Sequence, residues 1–418
     1  MRILFLSQIV PWPLDAGPKI KSWNVLQYLK EAGHEVWFVS FIRAEEEKHR
    51  EKVEQLCDRS WFVPLKRSRI SDAIYFLKSR FSGRPFLVER DRSVKMRRVV
   101  KSIVSKNKID IYHADQITMT QYVFPEELNE EENTLYKNAK SVFDAHNATW
   151  KILDRAASES KFPALWLYQD EAIRLKKYER HIIESFDHTF TVSDADKEAF
   201  LELFPGHGEV SEKISVVPIG INTSQYPNYV DNGKEEFHIL TLGSLNYPPN
   251  AEGIRWFMKD VYPKILSKIP QAFLWVIGKN PPPDFYEIEK QYSENMKITG
   301  YVDDLNPYFS KSSLAVIPVR VGGGMRVRIL ECFARQIPVI TTSIGAEGID
   351  VNNLIDILIE DDETMFAERS EQVLRDQDLQ EQIIKNAKIL VERKYDWSVV
   401  LKNVSSVFDA LVDQVDQQ

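Results

Sequence analysis

Short apolar runs alternate with longer amphipathic stretches along the first half of the chain: RILFLSQ, then IKSWNVLQYLKEAG, then HEVWFVSF. Short continuous apolar runs predict strands buried on both faces, and a longer stretch with apolar positions three and four apart predicts a helix. A strand, a helix closed by Gly33 and a second strand make a βαβ unit, which requires parallel pairing. IDIYHA, SVFDAHN, HTFTVS and ISVVPIG extend the series. The same pattern restarts after residue 236 with FHILTLG, AFLWVIG, KITGYV, SLAVIPV and IPVITTS. The expected class is α/β, in two parallel-sheet halves.

Between the halves, INTSQYPNYVDNGKEE is polar, turn-rich and aperiodic, the composition of a linker. The domains expected are therefore 1–218 and 236–395, joined by a linker over 219–235. An amphipathic helix over 396–418 follows and is expected to pack back on the first domain. No internal repeat or low-complexity segment interrupts this plan.

A chain of 418 residues, 43% hydrophobic and 28% charged, is long enough for two globular cores. The net charge of -8, from 54 Lys plus Arg against 62 Asp plus Glu, argues against nucleic acid as a partner, because phosphate neutralisation needs a basic surface. The charge is uneven: residues 59–101 carry 13 basic against 3 acidic side chains, whereas PEELNEEEN is acidic. Apolar residues interleave the basic ones in IYFLKSRF, so this segment is either a contact for an anionic membrane or a solvated helical face. Trp61, Tyr75 and Phe81 there suit a core and an anchor equally.

With only Cys57 and Cys332, no disulfide framework or cysteine-rich zinc site is available. MRILFLSQIV is too short to span a bilayer and lacks a cleavage site, so it reads as a buried strand of a cytoplasmic protein.

The candidate chemistry lies in PVRVGGGMRVRILECFARQIPVITTSIGAEGI, residues 318–349. LAVIPV reads as a strand and RVRILECFARQ as a helix, with three glycines where one becomes the other. Such a junction exposes backbone N–H groups and a positive helix end, and it suits phosphate. In open α/β sheets, ligands collect at this carboxyl edge of the strands. Arg326 and Arg328 add fork-shaped donors suited to a diphosphate. Glu331 is placed to accept two hydrogen bonds from vicinal hydroxyls, as on a ribose. Together they suggest a nucleotide diphosphate; the bland alternative is a glycine turn before a helix with solvated charges.

This segment resembles the nucleotide-sugar motif of the family 4 retaining glycosyltransferases, specifically a bacterial subgroup whose motif runs Gly-Gly-Gly, Thr, Arg, Leu, Lys, Ile-Leu-Glu-Ala. GGGMRVRILEC keeps the glycines, Arg326 and Glu331, and has Arg328 where the subgroup has Lys. PVITTSIGAEGI, LGSLNYPPN, ITGYVDDL and YDW match as well, so the resemblance spans essentially the whole chain and is most specific in the second half. It implies the GT-B fold, two facing Rossmann-like domains with the active site in the cleft between them. It further implies that Glu331 binds the donor ribose, that the Gly322, Gly323 and Gly324 backbone meets the sugar, and that Arg328 and Arg326 neutralise the diphosphate.

Two departures from the family pattern stand out. Gly323 occupies the place of the first of two family glutamates, which replaces a side-chain contact to the sugar by backbone. Ser244 and uncharged neighbours stand where many members carry an Arg and a Lys for the phosphates; Arg326 and Arg328 would compensate, with Lys279 in VIGKN as a further candidate.

In the first half, Gly17 in PWPLDAGPKIKSW resembles the family glycine that reaches the donor phosphates, and is otherwise a simple turn. Lys19 and Lys21 either assist or are solvated. His146 in SVFDAHNATW matches a family histidine near the reacting sugar; the bland reading is a buried His held by a backbone carbonyl. Asn147 either binds the sugar or turns the chain. The Asp-x-Asp of TVSDADKEAF reads as a helix start capped by Ser193, and no other set has ligand spacing, so no metal is expected.

The function this implies is retaining transfer of a hexose-like sugar from a UDP- or GDP-linked donor, with no cofactor, to a glycan or lipid-linked acceptor in bacterial surface polysaccharide synthesis. The expected place is the cytoplasm or the inner membrane face. A non-catalytic nucleotide-sugar-binding subunit and a nucleotide-sugar epimerase are the alternatives, and the latter lacks an evident acid and base pair. A dinucleotide dehydrogenase is disfavoured, because no Gly-x-Gly-x-x-Gly follows the first strand.

Overall fold

Among the described residues of the computed structural model, thirteen strands form two fully parallel sheets, one in each half of the chain. The structure describes residues 1–124, 136, 139–158, 160–206, 208–226 and 236–416. The acidic stretch PEELNEEEN lies outside the described residues, as does 227–235 of the linker segment.

The first sheet contains β1 (Arg2–Ser7), β2 (Glu35–Ile42), β3 (Arg59–Pro64), β4 (Ile111–Asp115), β5 (Lys140–Asp144), β6 (His188–Thr191) and β7 (Ile214–Val216), in the order β3-β2-β1-β4-β5-β6-β7. The second contains β8 (His238–Leu242), β9 (Phe273–Ile277), β10 (Met296–Gly300), β11 (Leu314–Ile317), β12 (Val339–Thr341) and β13 (Leu358–Ile359), in the order β10-β9-β8-β11-β12-β13. These are doubly wound orders. Strand succession reverses between β1 and β4 in one sheet and between β8 and β11 in the other, and ligands settle at such points.

The central strands are continuous apolar runs because both of their faces are covered; Ile3, Leu4, Phe5 and Leu6 are fully buried. Strand β3 had no counterpart in the sequence pattern. Its RSWFVP reads as part of the cationic stretch because it is an edge strand, only partly buried over most of its length. The apolar content it does have is used: Trp61 packs on Trp37 at 5.7 Å between ring centres.

The chain divides into two compact units, Met1–Ile219 with Val400–Gln418, and Gly220–Val399. The helix Trp397–Asp416 thus belongs mostly to the first unit, where Phe408 lies 6.0 Å from His113 and 6.2 Å from Phe190. The segment from Gly220 is tied to the second unit. Ile221 bridges to Asp396, whose carboxylate accepts from Thr223 N at 3.0 Å. A Cβ on Gly220 would meet the Trp397 ring at 2.8 Å.

Candidate functional site

Each unit gathers its notable chemistry at the switch point of its sheet. In the second unit the chain leaves β11 at Ile317, crosses the glycines and enters the helix Val327–Ala334. Gly322 and Gly324 have φ of 104° and 88°, a region that disfavours side chains, whereas Gly323 has an ordinary φ and nothing within 4 Å of where a Cβ would stand. The loop is bare backbone, open to solvent at Gly322 and Gly323.

Close packing holds this loop in place. A Cβ on Gly253 would fall 1.8 Å from the Pro318 carbonyl oxygen, so only glycine lets the helix Pro248–Trp256 lie against the exit of β11. The exits of β8 and β9 are similarly tight, since a Cβ on Gly278 would stand 1.9 Å from the Gly243 oxygen. Beyond β12, Thr341 Oγ1 donates to Ile317 O at 2.6 Å and Thr342 Oγ1 donates to Val319 O, which pins TTSIGAEG to the same strand end.

The four polar candidates differ in their surroundings. Arg326 turns back on the loop, its Nη1 donating to Gly323 O at 2.6 Å and to Gly324 O. It is therefore an organiser of the glycine turn, a role the motif alone did not suggest. Arg328, in the first turn of the helix, is partly buried and makes no hydrogen bond or ion pair among the described residues. Burial pulls its guanidinium below the ordinary value, and Glu331 partly offsets this. Glu331 accepts from Arg335 Nε at 3.2 Å. Arg335 is itself fixed over the Phe309 and Tyr226 rings, at 4.2 and 4.6 Å, and by Asn306 at 2.7 Å. Lys279 is exposed at the end of β9 over the Tyr301 ring at 4.5 Å, and its carbonyl accepts from Leu245 N in the loop after β8. Ser244 of that loop is partly buried.

In the first unit, parallel register aligns Ser7, Asp115 and Asp144 across the carboxyl ends of β1, β4 and β5. Asp115 accepts from Ser7 Oγ at 2.7 Å and from Ser22 Oγ at 2.9 Å, and His146 Nε2 lies 2.7 Å from its Oδ1. With hydroxyls donating to the same carboxylate, the imidazole proton belongs on Nε2, and Nδ1 is left as a buried atom without a hydrogen-bond partner among the described residues. His146 is thus held by a carboxylate, not by the backbone carbonyl of the bland reading.

Lys21 corrects a second expectation. It is neither solvated nor free to reach a phosphate: it is fully buried, and its ammonium donates to Asp144 Oδ1 at 2.5 Å. Burial alone would raise the Asp144 carboxyl, but the Lys21 charge and the nearby His113 hold it well below the ordinary range. Lys19 pairs with Asp15 at 3.0 Å, and Gly17 opens the helix Gly17–Glu31 with an ordinary φ, 3.0 Å from Ile219 Cδ1 were it to carry a Cβ.

His113, Asp115 and Asp144 each place a ligand atom within 4.8 Å of the others, a grouping that the sequence spacing did not reveal. It is the set of described residues best arranged to hold a cation. The Lys21 ammonium already supplies positive charge to it. Asp115 and Asp144 were missed because each ends an otherwise apolar strand and they lie 29 positions apart, meeting only through strand register. Ser193 Oγ accepts from Asp196 N at 3.1 Å and caps the helix Asp194–Leu201, which accounts for the Asp-x-Asp.

Residues 22–225 match the family described as Glycosyltransferase Family 4, and residues 236–376 match Glycosyl transferases group 1. The chain is a glycosyltransferase of this family 4 and group 1 type, built on the GT-B fold. It is similar, at 21% identity, to an uncharacterized 44.6 kDa protein in the cps region of Klebsiella pneumoniae, over 96% of this chain and 98% of that one. It is 26% identical to the capsular polysaccharide biosynthesis glycosyltransferase CapM of Staphylococcus aureus, over 56% of this chain and 61% of that protein. Among solved structures, Anabaena HepE in complex with UDP superposes with a TM-score of 0.67 at 12% identity, covering 98% of this chain and all of that one, 100%. Among the described residues no helix is long and apolar enough to cross a membrane.

Proposed function

We infer that the protein is a retaining glycosyltransferase of surface polysaccharide synthesis, transferring a hexose-like sugar from a UDP- or GDP-linked donor to a glycan or lipid-linked acceptor. The observation that carries the donor site is Arg328: a partly buried cation with no hydrogen bond or ion pair among the described residues, between the glycine loop and Glu331 at the switch point of the second sheet. Such a cation is matched to a diphosphate. In this reading Glu331 holds the ribose, and the backbone of Gly322, Gly323 and Gly324 meets the sugar. Arg326 fixes the loop and adds charge, and Lys279 stands by for the phosphates.

As the glycosidic bond breaks, negative charge grows on the leaving diphosphate. Arg328, Arg326 and the uncapped start of the helix Val327–Ala334 lower that barrier by preorganised electrostatics. No protein nucleophile and no metal enters; a leaving phosphate oxygen takes the acceptor proton on the same face of the sugar. We assign the acceptor to the first unit and the donor to the second, which takes in 220–226 of the expected linker, with the closing helix returning to the first unit from Val400. From the first domain we assign Gly17 to the donor phosphates and His146 to the reacting sugar. Surface polysaccharide as the destination rests on the names of CapM and of the cps-region protein. In this reading the cationic segment 59–101, with 13 basic against 3 acidic side chains, meets an anionic membrane at the cytoplasmic face.

The test is thermal stabilisation of the wild type and Glu331→Ala by UDP, GDP, ADP, CMP and their sugar conjugates, followed by NMR of any transfer product for the anomeric configuration. Stabilisation by one base family that the substitution abolishes, with retained configuration, supports the reading. Binding without transfer or donor hydrolysis would favour a non-catalytic binding subunit, and an inverted anomer would refute retention.

A further inference from the structure

The helix Arg69–Ser82 is turned the opposite way from a helix of a soluble surface. Its sequence fixes its limits: Ser68 and Ser71 form a reciprocal capping pair at the start, and Gly83 closes the end with φ of 74°. Ile70, Ile74, Leu77 and Phe81 recur at intervals of four, three and four, so they form one stripe along the helix. That stripe points outward: the four are exposed by 75, 49, 58 and 91%.

The opposite face is the one that docks, and it docks through polar groups. Ser79 is fully buried, and its carbonyl accepts from Arg174 Nη1 at 3.1 Å. Arg80 lies over the Phe76 ring and donates to Glu171 at 2.6 Å, with Asp170 as a second carboxylate partner. Glu171 also accepts from Phe86 N at 2.5 Å. This network, together with Phe76 against Phe86 at 5.8 Å between ring centres, orients the helix with its apolar stripe outward.

Isolated exposed apolar residues need no explanation, but a contiguous row of four large ones held outward by ion pairs marks a contact surface. Charge says what covers it. Exposed Arg69 and Lys78 flank the stripe on its two sides, Asp72 stands on the opposite face, and the surrounding segment 59–101 is basic by 13 to 3. A stripe of apolar side chains bordered by cations fits the boundary between acyl chains and anionic headgroups.

We propose that the outward face of Arg69–Ser82 is a membrane-docking helix that lies in the plane of an anionic bilayer, with Ile70, Ile74, Leu77 and Phe81 in the acyl boundary and Arg69 and Lys78 at the phosphates. This gives residues to the membrane contact in the functional reading above, and it is testable apart from any transfer activity.

Cosedimentation of the full chain with vesicles of phosphatidylcholine, alone or mixed with phosphatidylglycerol, tests it. The wild type is expected to partition at least about tenfold more strongly onto the anionic vesicles at low salt, and less as salt rises. Leu77→Glu with Phe81→Glu removes binding to both vesicle types, whereas Arg69→Gln with Lys78→Gln lowers only the anionic preference, by roughly tenfold or more. Ile389→Glu, an exposed apolar residue of the second unit, leaves partition unchanged. Unfolding temperatures and nucleotide stabilisation of each variant show that the fold persists, and Phe81→Ser serves if the double glutamate variant does not fold. No partition onto either vesicle, partition indifferent to both pairs, or a dimer that the Leu77 and Phe81 changes dissociate without vesicle binding would each overturn the proposal. Loss of nucleotide binding in the wild type would instead count against the transferase reading and leave the vesicle result standing.

Discussion

Lys21 and Asp144 form an ion pair of 2.5 Å in which neither side chain reaches solvent. Removing one partner leaves the other charge buried and alone, so Asp144→Asn is expected to destabilise the first unit by about 3–5 kcal/mol. Lys21→Met should cost a similar amount, and the double variant Lys21→Met with Asp144→Leu less than the sum. Because the folded Asp144 carboxyl is held below its ordinary value, its contribution is present above about pH 3.9 and is lost as pH falls below that. Urea unfolding between pH 3 and 7 should show this acid-side loss in the wild type and not in Asp144→Asn.

Asp115 sets the imidazole of His146. In the wild type, 15N spectra of the neutral ring should show the proton on Nε2, facing Asp115 Oδ1 at 2.7 Å. Asp115→Asn offers a donor as well as an acceptor and should mix the two tautomers. If His146 serves the reacting sugar, transfer should also fall at least about tenfold with little change in donor affinity. An unchanged tautomer would refute the orienting role.

Glu331 can be tested without disturbing the fold, because Arg335 keeps its aromatic and Asn306 partners when the carboxylate is gone. Glu331→Gln should change stability by less than about 1 kcal/mol while weakening nucleotide binding by about 1.5–3 kcal/mol, the worth of hydrogen bonds to a charged group. Calorimetric titration with the preferred nucleotide checks both the affinity and the base.

The glycines of the second unit separate packing from chemistry. Gly253→Ala should destabilise by more than about 1–3 kcal/mol, because its methyl has no space beside Pro318. Gly323→Ala has open space and an ordinary backbone, so it should leave the unfolding transition unchanged and weaken only the binding of the sugar conjugate relative to the free nucleotide.

His188 is buried beside Ser215, with its pKa lowered to about 4 by burial and by the Lys197 charge. The unfolded chain therefore binds a proton near pH 6.5 that the folded chain refuses. Stability should be full above that pH and fall by about 3 kcal/mol as pH drops to 4. His188→Gln should flatten this segment of the stability profile, whatever its effect on the absolute level.

The alternation of apolar and amphipathic runs revealed eleven of the thirteen strands among the described residues, because a parallel sheet covered on both sides demands short continuous apolar runs. The two that escaped are β3, an edge strand with an Arg and a Pro in it, and β13, only two residues long. The glycine motif was legible for the same reason that it works: bare backbone at a strand end has few other uses. The Asp115, Ser22 and His146 cluster was not, since its members lie on three separate stretches and meet only by strand register and one helix turn. Arg326 shows the opposite limit, for a motif names the residue but not that it turns back on its own loop. The outward stripe of Arg69–Ser82 was hidden because amphipathic spacing is silent about which face a helix buries.

Gly220, Ile221 and Thr223 are held against Asp396 and Trp397, and the chain returns to the first unit at Val400. A chimaera that exchanges donor specificity should therefore transplant 220–399 as one cassette. A graft cut at the obvious polar stretch near residue 235 would leave the Ile221 and Thr223 strap on the wrong parent, opposite an Asp396 it did not evolve with.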